Sequence, residues 1–166
     1  MEDGIMEQDY KRILVPVDGS KEAEMAFKKA VKVAQMNGGH LDVLTVLDTK
    51  QFIGLHGGML NGDVIYQLSE DAQKYLNELK EGAVKDGFKE DDIDIHVRFG
   101  EPKTVISQEF IEEYKNDLIM IGSTGMNAVT RLLVGSVSEY VTRNARTDVI
   151  IVRTDVDNKK LVDKKK

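Results

Sequence analysis

The chain of 166 residues has no cysteine, no tryptophan, two prolines and only 6% aromatic residues. Without cysteine there is no disulfide, no zinc knuckle, no iron–sulfur cluster and no thiol nucleophile, which agrees with a reducing compartment. Long apolar runs are missing too. No stretch approaches the roughly 18 consecutive apolar residues that span a bilayer. The opening run Met1-Glu2-Asp3-Gly4-Ile5-Met6-Glu7 is acidic where a signal peptide is basic and then apolar. The expectation is therefore a cytoplasmic protein with no membrane partner. Positive charge is also in deficit. The formal net charge is −6, and residues 159–166 alone hold five Lys and one Asp, which leaves 18 basic against 28 acidic side chains elsewhere. Such a body repels a phosphate backbone, so no nucleic-acid partner is expected.

What is present is the balance of an ordinary globular protein, 41% hydrophobic and 31% charged. One domain over residues 10–154 is expected, between a flexible tail at 1–9 and a flexible Lys-rich tail at 155–166. Ile13-Leu14-Val15-Pro16-Val17 reads as a buried parallel strand closed by Asp18-Gly19-Ser20, with Pro16 at its end because proline cannot donate to a ladder. Ser20 is a candidate N-cap for a helix with Ala23, Ala26, Phe27, Ala30, Val31 and Ala34 on one face, ended by Gly38-Gly39. A second strand, Leu41–Leu47, leads into a long Gly-rich connection from Asp48 to Gly62. A helix with Ile65, Leu68, Ala72, Tyr75, Leu76 and Leu79 inward comes next. Ile93, Ile95, Val97 and Phe99 then alternate with Asp94, His96 and Arg98, the pattern of an edge strand. A third helix over Lys103–Tyr114, a strand Leu118–Ile121, an irregular segment from Gly122 to Gly135, a helix Ser136–Ala145 and a last apolar strand Val149–Val152 complete the chain. Strand and helix alternate throughout, which gives an α/β fold on a parallel sheet.

In a doubly wound sheet, ligands bind beyond the carboxyl ends of the strands at the switch point. Two loops qualify by content, Asp18-Gly19-Ser20 and the segment from Gly122 to Ser136. Glycines at the entry, first bend and exit of the second loop let backbone N–H groups approach an anion and take up positive φ. Ser136 then opens a helix whose N-terminal N–H groups and dipole favour negative charge, as in a polyphosphate site. The bland reading stays beside it. Glycine also makes plain turns, and Ser136 with Glu139 fits the capping box S-x-x-E, which needs no ligand and competes for the same N–H groups. Other nucleotide sites are excluded: there is neither a G-x-x-x-x-G-K-[ST] P-loop nor a G-x-G-x-x-G after the first strand. The Phe99-Gly100-Glu101-Pro102 end of the third strand carries no phosphorylatable Asp of a receiver domain.

The spacing Gly122-x2-Gly125-x9-Gly135-Ser136, with Val17-Asp18-Gly19-Ser20 closing the first strand, resembles the universal stress protein family, specifically its ATP-binding branch. The resemblance runs from about Tyr10 to Arg153. It implies a doubly wound five-stranded parallel sheet in the order 3-2-1-4-5 with helices on both faces, a fold like that of the adenine nucleotide alpha hydrolases. It also implies a site in which Pro16, Val17 and Asp18 line the adenosine side and Val46 packs on adenine. Gly122, Thr124, Gly125, Gly135, Ser136, Val137 and Ser138 would hold ribose and phosphates. ATP or another adenine nucleotide, with Mg2+ or Mn2+, is the implied cofactor, and a homodimer through the last strand, Val149 to Arg153, the implied assembly. Thr124 departs from the larger His or Arg of many relatives.

No catalytic residue is assigned. The loop has no Lys, no clear general base and no positioned Arg, so at most a slow ATP hydrolase is expected, with Asp18 as metal or water anchor. The leading expectation is a nucleotide-dependent stress-response or signalling module; the alternative is an interaction protein of the same fold that binds no nucleotide. Arg131 reads as a surface charge, Asp91-Asp92 as a turn, and the seven methionines as core filler. His40, His56 and His96 lie far apart with no metal-ligand spacing and read as surface or packing residues, His56 falling in the Gly-rich connection.

Overall fold

The computed structural model describes residues 9–55, 62–124 and 134–161. The terminal runs 1–8 and 162–166, His56, Gly125 and Arg131 lie outside the described residues. Five parallel strands, β1 (Arg12–Pro16), β2 (His40–Leu47), β3 (Ile93–Phe99), β4 (Leu118–Gly122) and β5 (Asp148–Val152), form one sheet in the order β3-β2-β1-β4-β5, as expected. Pro16 is the last residue of β1, where its missing N–H costs no ladder bond.

The three central strands are buried on both faces, and the alternation along them divides the core in two. Ile13 and Val15 of β1 and Val17 just after it, with Leu41 and Val43 of β2, meet α1 (Lys21–Asn37) and α3 (Gly62–Lys85) through Ala26, Phe27, Ala30 and Leu76. Leu14 and Leu44, with Ile119 and Ile121 of β4, face the other way. They meet Val105, Ile106, Phe110 and Ile111 and the helix α6 (Ser136–Asn144) through Val141.

The helix boundaries have local causes. Ser20 caps α1, its Oγ accepting the Ala23 N–H at 3.2 Å, a contact of the kind that contributes about 1 kcal/mol. Gly38, at φ 59°, ends the helix in the left-handed conformation. The helix expected over Lys103–Tyr114 begins instead at Pro102, a favoured first position. It runs as α4 (Pro102–Thr104), a π turn (Val105–Glu109) and α5 (Phe110–Tyr114). The long Gly-rich connection from Asp48 to Gly62 holds a two-turn helix, α2 (Thr49–Leu55). Residues 155–159, at the start of the segment read as a tail, form a turn in which Asp155 Oδ1 accepts the N–H groups of Asp157 and Lys159. Lys29 of α1 reaches this turn, donating to Thr154 Oγ1 at 2.6 Å and Asn158 Oδ1 at 3.1 Å. Among the described residues, no helix is long and apolar enough to cross a membrane.

Candidate functional site

The strand order places β1 beside β4 while their onward connections diverge to opposite faces, so the switch point lies between the ends of these two strands. The two loops singled out in the sequence therefore leave the sheet side by side. Pro16 and Val17 are buried, Asp18 is exposed, and Gly19 at φ 86° takes the sharp bend that returns the chain into α1. Asp18 Oδ1 accepts the Ser20 N–H at 3.0 Å, which fixes the turn.

Val17 is more committed to the fold than to a ligand. Its N–H donates to Leu44 O at 2.8 Å, its carbonyl accepts from Thr45 Oγ1 at 2.9 Å, and its side chain packs in the core under α1. Val46, half-buried, lies on the opposite face of the sheet, against the core beneath α6.

At the end of β4, Gly122 is buried, and the reason it is glycine is visible. A Cβ there would lie 2.8 Å from the carbonyl carbon and oxygen of Glu22 and 3.0 Å from the Ala23 nitrogen, all backbone atoms of the first turn of α1. The expected positive φ is found at neither described glycine of this segment. Gly122 is absent from the positive-φ residues, and Gly135 is extended at φ −73° and ψ 164°, with its N–H donating to Ser123 O at 2.6 Å. Packing against α1 accounts for the glycine at 122; the backbone angles and N–H bond at 135 are ones that any residue but proline provides.

The first turn of α6 differs from the capping-box expectation. Gly135 is the N-cap, Ser136 is the first helical residue and is exposed, and among the described residues no side chain caps the helix. The Ser136–Glu139 pair is one residue out of the frame that a capping box requires. N–H groups that no described side chain caps thus sit at the start of α6, close to Ser123 and Gly122. Val137 is half-buried against the core. Ser138 is 4% exposed and donates its hydroxyl hydrogen to Gly122 O at 2.7 Å, a strut that ties α6 to the end of β4. Thr124 is half-buried at the limit of the described segment.

The rim of this region is acidic, with Asp18 in the turn and Glu22 and Glu24 in the first turn of α1. Tyr75 of α3 donates to Glu24 Oε1 at 3.3 Å; burial first, then the charge of Glu24 and its hydrogen bond, then the charge of Asp18, push the phenol pKa well up.

At the other end of the strands the structure assembles a group that sequence reading missed. Asp42, the third residue of β2, is fully buried. Arg12 donates to it twice, from Nε to Oδ2 at 2.7 Å and from Nη2 to Oδ1 at 2.9 Å. Asn116 Nδ2 lies 2.8 Å from Oδ2 and His96 Nε2 2.9 Å from Oδ1. His96 also packs edge-on against Phe110, with ring centroids 4.9 Å apart. Burial alone would raise the pKa of Asp42. Hydrogen bonds from His96, Arg12 and Asn116, with the charge of Arg12, outweigh it and hold the carboxyl below its ordinary value. His40 and His96, read as remote from one another, therefore converge on one carboxylate. The available signal was an aspartate within the apolar run Leu41-Asp42-Val43-Leu44, where a charge has to find a partner.

Comparison with known proteins is consistent across three kinds of match. The model of the universal stress protein family matches residues 9–153. A universal stress protein of Staphylococcus aureus is 40% identical over 146 residues, covering 88% of this chain and 86% of its own. Among solved structures, a universal stress protein from Lactobacillus plantarum is 29% identical with a TM-score of 0.71, covering 87% of this chain and 99% of that one. A universal stress protein solved in complex with cAMP is 26% identical with a TM-score of 0.60, covering 87% and 97%.

Proposed function

The chain belongs to the universal stress protein family, and from that premise we propose that the carboxyl ends of β1 and β4 bind an adenine nucleotide, with ATP as the expected ligand. The protein then acts as a nucleotide-dependent stress-response or signalling module. The observation that carries this reading is the N-terminus of α6, capped by no described side chain, beside the ends of β4 and β1, a ready acceptor for phosphate. The cAMP complex of a neighbouring structure supports an adenine-based ligand. In this reading the backbone of Gly122, Thr124, Gly125, Gly135, Ser136, Val137 and Ser138 receives ribose and phosphates, and Pro16, Val17, Asp18 and Val46 border the adenosine. The acidic rim of Asp18, Glu22 and Glu24 calls for Mg2+ or Mn2+ with a triphosphate, to offset like charge. Hydrolysis, where it occurs, is slow and incidental, because no positioned cation or base is assigned to the reaction.

A second reading has its own observation. Gly122 has a structural reason to be glycine in its contact with α1, so a protein of this fold that binds partners without nucleotide would also keep it. One experiment separates the two. Purified protein is denatured and the supernatant analysed by mass spectrometry, then Mg-ATP is titrated calorimetrically into wild type and Gly125→Glu. Co-purified adenylate, or micromolar binding that the variant loses, is the expected result; neither one would move the function to the interaction protein.

The outer edge of β5 is unpaired within the sheet and leaves Ile150 40% exposed. We propose a homodimer through Val149 to Arg153, for which light scattering after size exclusion should give the mass of two chains; a monomer at micromolar concentration would refute it.

A further inference from the structure

Positive charge is scarce where the proposed nucleotide site needs it. The rim there is Asp18, Glu22 and Glu24, and the two loops bring only Arg131 and, just past Ser20, Lys21. Five lysines, Lys159, Lys160, Lys164, Lys165 and Lys166, stand together at the end of the sequence, and the fold starts that run beside the same site. β5 ends at Val152, whose carbonyl accepts the Ser123 N–H at 3.2 Å; Ser123 O in turn accepts the N–H of Gly135, the N-cap of α6, at 2.6 Å. The chain then turns instead of running out into solvent. Asp155 N–H donates to Lys159 O at 2.9 Å, and Lys159 N–H returns to Asp155 Oδ1 at 2.9 Å. Asn158 takes the left-handed backbone at φ 60°, which asparagine tolerates better than most residues. Lys29 Nζ pins this turn to α1 through Thr154 Oγ1 and Asn158 Oδ1. Building on the nucleotide reading above, we propose that the lysines from Lys159 onward are the cationic element of that site and pair with the phosphates of a bound adenine nucleotide.

Length and charge both suit the role. The turn holds Lys159 beside Asp155, a short step past Val152, and Lys159 and Lys160 are exposed. From Lys160 to Lys166 the chain spans at most about 3.5 Å per residue, on the order of 20 Å in all. The ends of β4 and β1 lie one and two strand spacings from β5, about 5 and 10 Å, so they are within that reach. A lysine ammonium is a compact point charge that suits phosphate, and a short tether keeps its effective concentration at the ligand high. The arrangement also sets a preference. A triphosphate offers the tail more charge than a monophosphate does, so the lysines favour ATP over AMP or a cyclic monophosphate while leaving the contacts to adenosine unchanged.

The test uses the full chain. Mg-ATP and AMP are titrated calorimetrically, at low and at physiological salt, into wild type and into a variant carrying Lys159→Gln, Lys160→Gln, Lys164→Gln, Lys165→Gln and Lys166→Gln together. The variant should bind ATP about tenfold more weakly and AMP within about twofold of wild type, and its ATP affinity should depend less steeply on salt. A second readout needs no variant. Acetylation by an amine-reactive reagent, mapped by peptide mass spectrometry, should find Lys159 and Lys160 protected when Mg-ATP is bound, while the exposed Lys115, before the amino end of β4, reacts equally with and without it. Equal ATP affinity in variant and wild type, or an equal loss for ATP and AMP, overturns the role of the lysines and leaves the nucleotide reading standing. A wild type that binds no adenine nucleotide overturns both. Lysines shielded without nucleotide and released by it would put the tail on the acidic rim instead, which also overturns the assignment.

Discussion

Asp42→Ala should destabilise the protein by about 3–5 kcal/mol, the range for removing one partner of a buried ion pair. The loss arises less from the missing attraction than from what remains. Arg12, Asn116 and His96 would all face a space without an acceptor, and Asn116 already has one buried oxygen, Oδ1, without a partner among the described residues. Since a domain is held by about 5–15 kcal/mol in all, chemical denaturation should show the variant near the edge of folding. Asp42→Asn, which keeps the shape and loses the charge, should fall between variant and wild type. The same carboxylate sets a pH dependence. Its folded-state pKa lies below the unfolded value, so its contribution is fully present above the ordinary carboxylate range. It is lost as pH falls from about 4 through the depressed folded value. Unfolding curves taken down this acid limb should be flatter for Asp42→Asn than for wild type; equal slopes would remove Asp42 as a cause.

The second large effect is expected at Gly122. An alanine there puts its methyl carbon 2.8 Å from the Glu22 carbonyl, and the obstacle is helix backbone that has no rotamer to change. Helix α1 must shift from β4, at a cost of about 1–3 kcal/mol. For a chain of this size, that is a fall in melting temperature of about 2–4 °C per kcal/mol. Gly122→Val should be worse. The measurement also discriminates between explanations of the glycine. If packing is the cause, the ligand-free protein melts early; if the glycine serves only a ligand, the ligand-free melting point stays put and nucleotide affinity alone drops.

The strands were legible because each is a short apolar run bounded by turn residues. β3 was legible as an edge because Asp94, His96 and Arg98 interrupt it. Helix α2 was hidden by its length: seven residues with an internal Gly54 show too little periodicity to outweigh the glycines after it. The π turn at Val105–Glu109 left no mark, since it keeps the same apolar residues inward with one backbone bond displaced. Ser138 read as a contact for phosphate, yet its hydroxyl hydrogen goes to Gly122 O, a partner 16 residues away that only the fold supplies. The Asp42 group was hidden for the same reason. Its partners Arg12, His96 and Asn116 lie 30, 54 and 74 residues distant, and no local pattern records a meeting at that range. Gly122 shows the converse: the position was found from the motif, but its cause, contact with α1, was not.

The hydrogen bond from Ser123 N–H to Val152 O, at 3.2 Å, joins the first residue after β4 to the last residue of β5. Gly135 closes on the carbonyl of that same Ser123. One residue, through the peptide groups on its two sides, therefore belongs at once to the proposed phosphate region and to the strand proposed to meet a second chain. If a ligand draws Ser123 toward itself, the carbonyl row of β5 bears the strain, and the free energies of the two events cannot be independent. Thermodynamic reciprocity then fixes the sign: whatever factor nucleotide applies to self-association, self-association applies to nucleotide affinity, so a binding isotherm measured across protein concentrations carries the coupling within it.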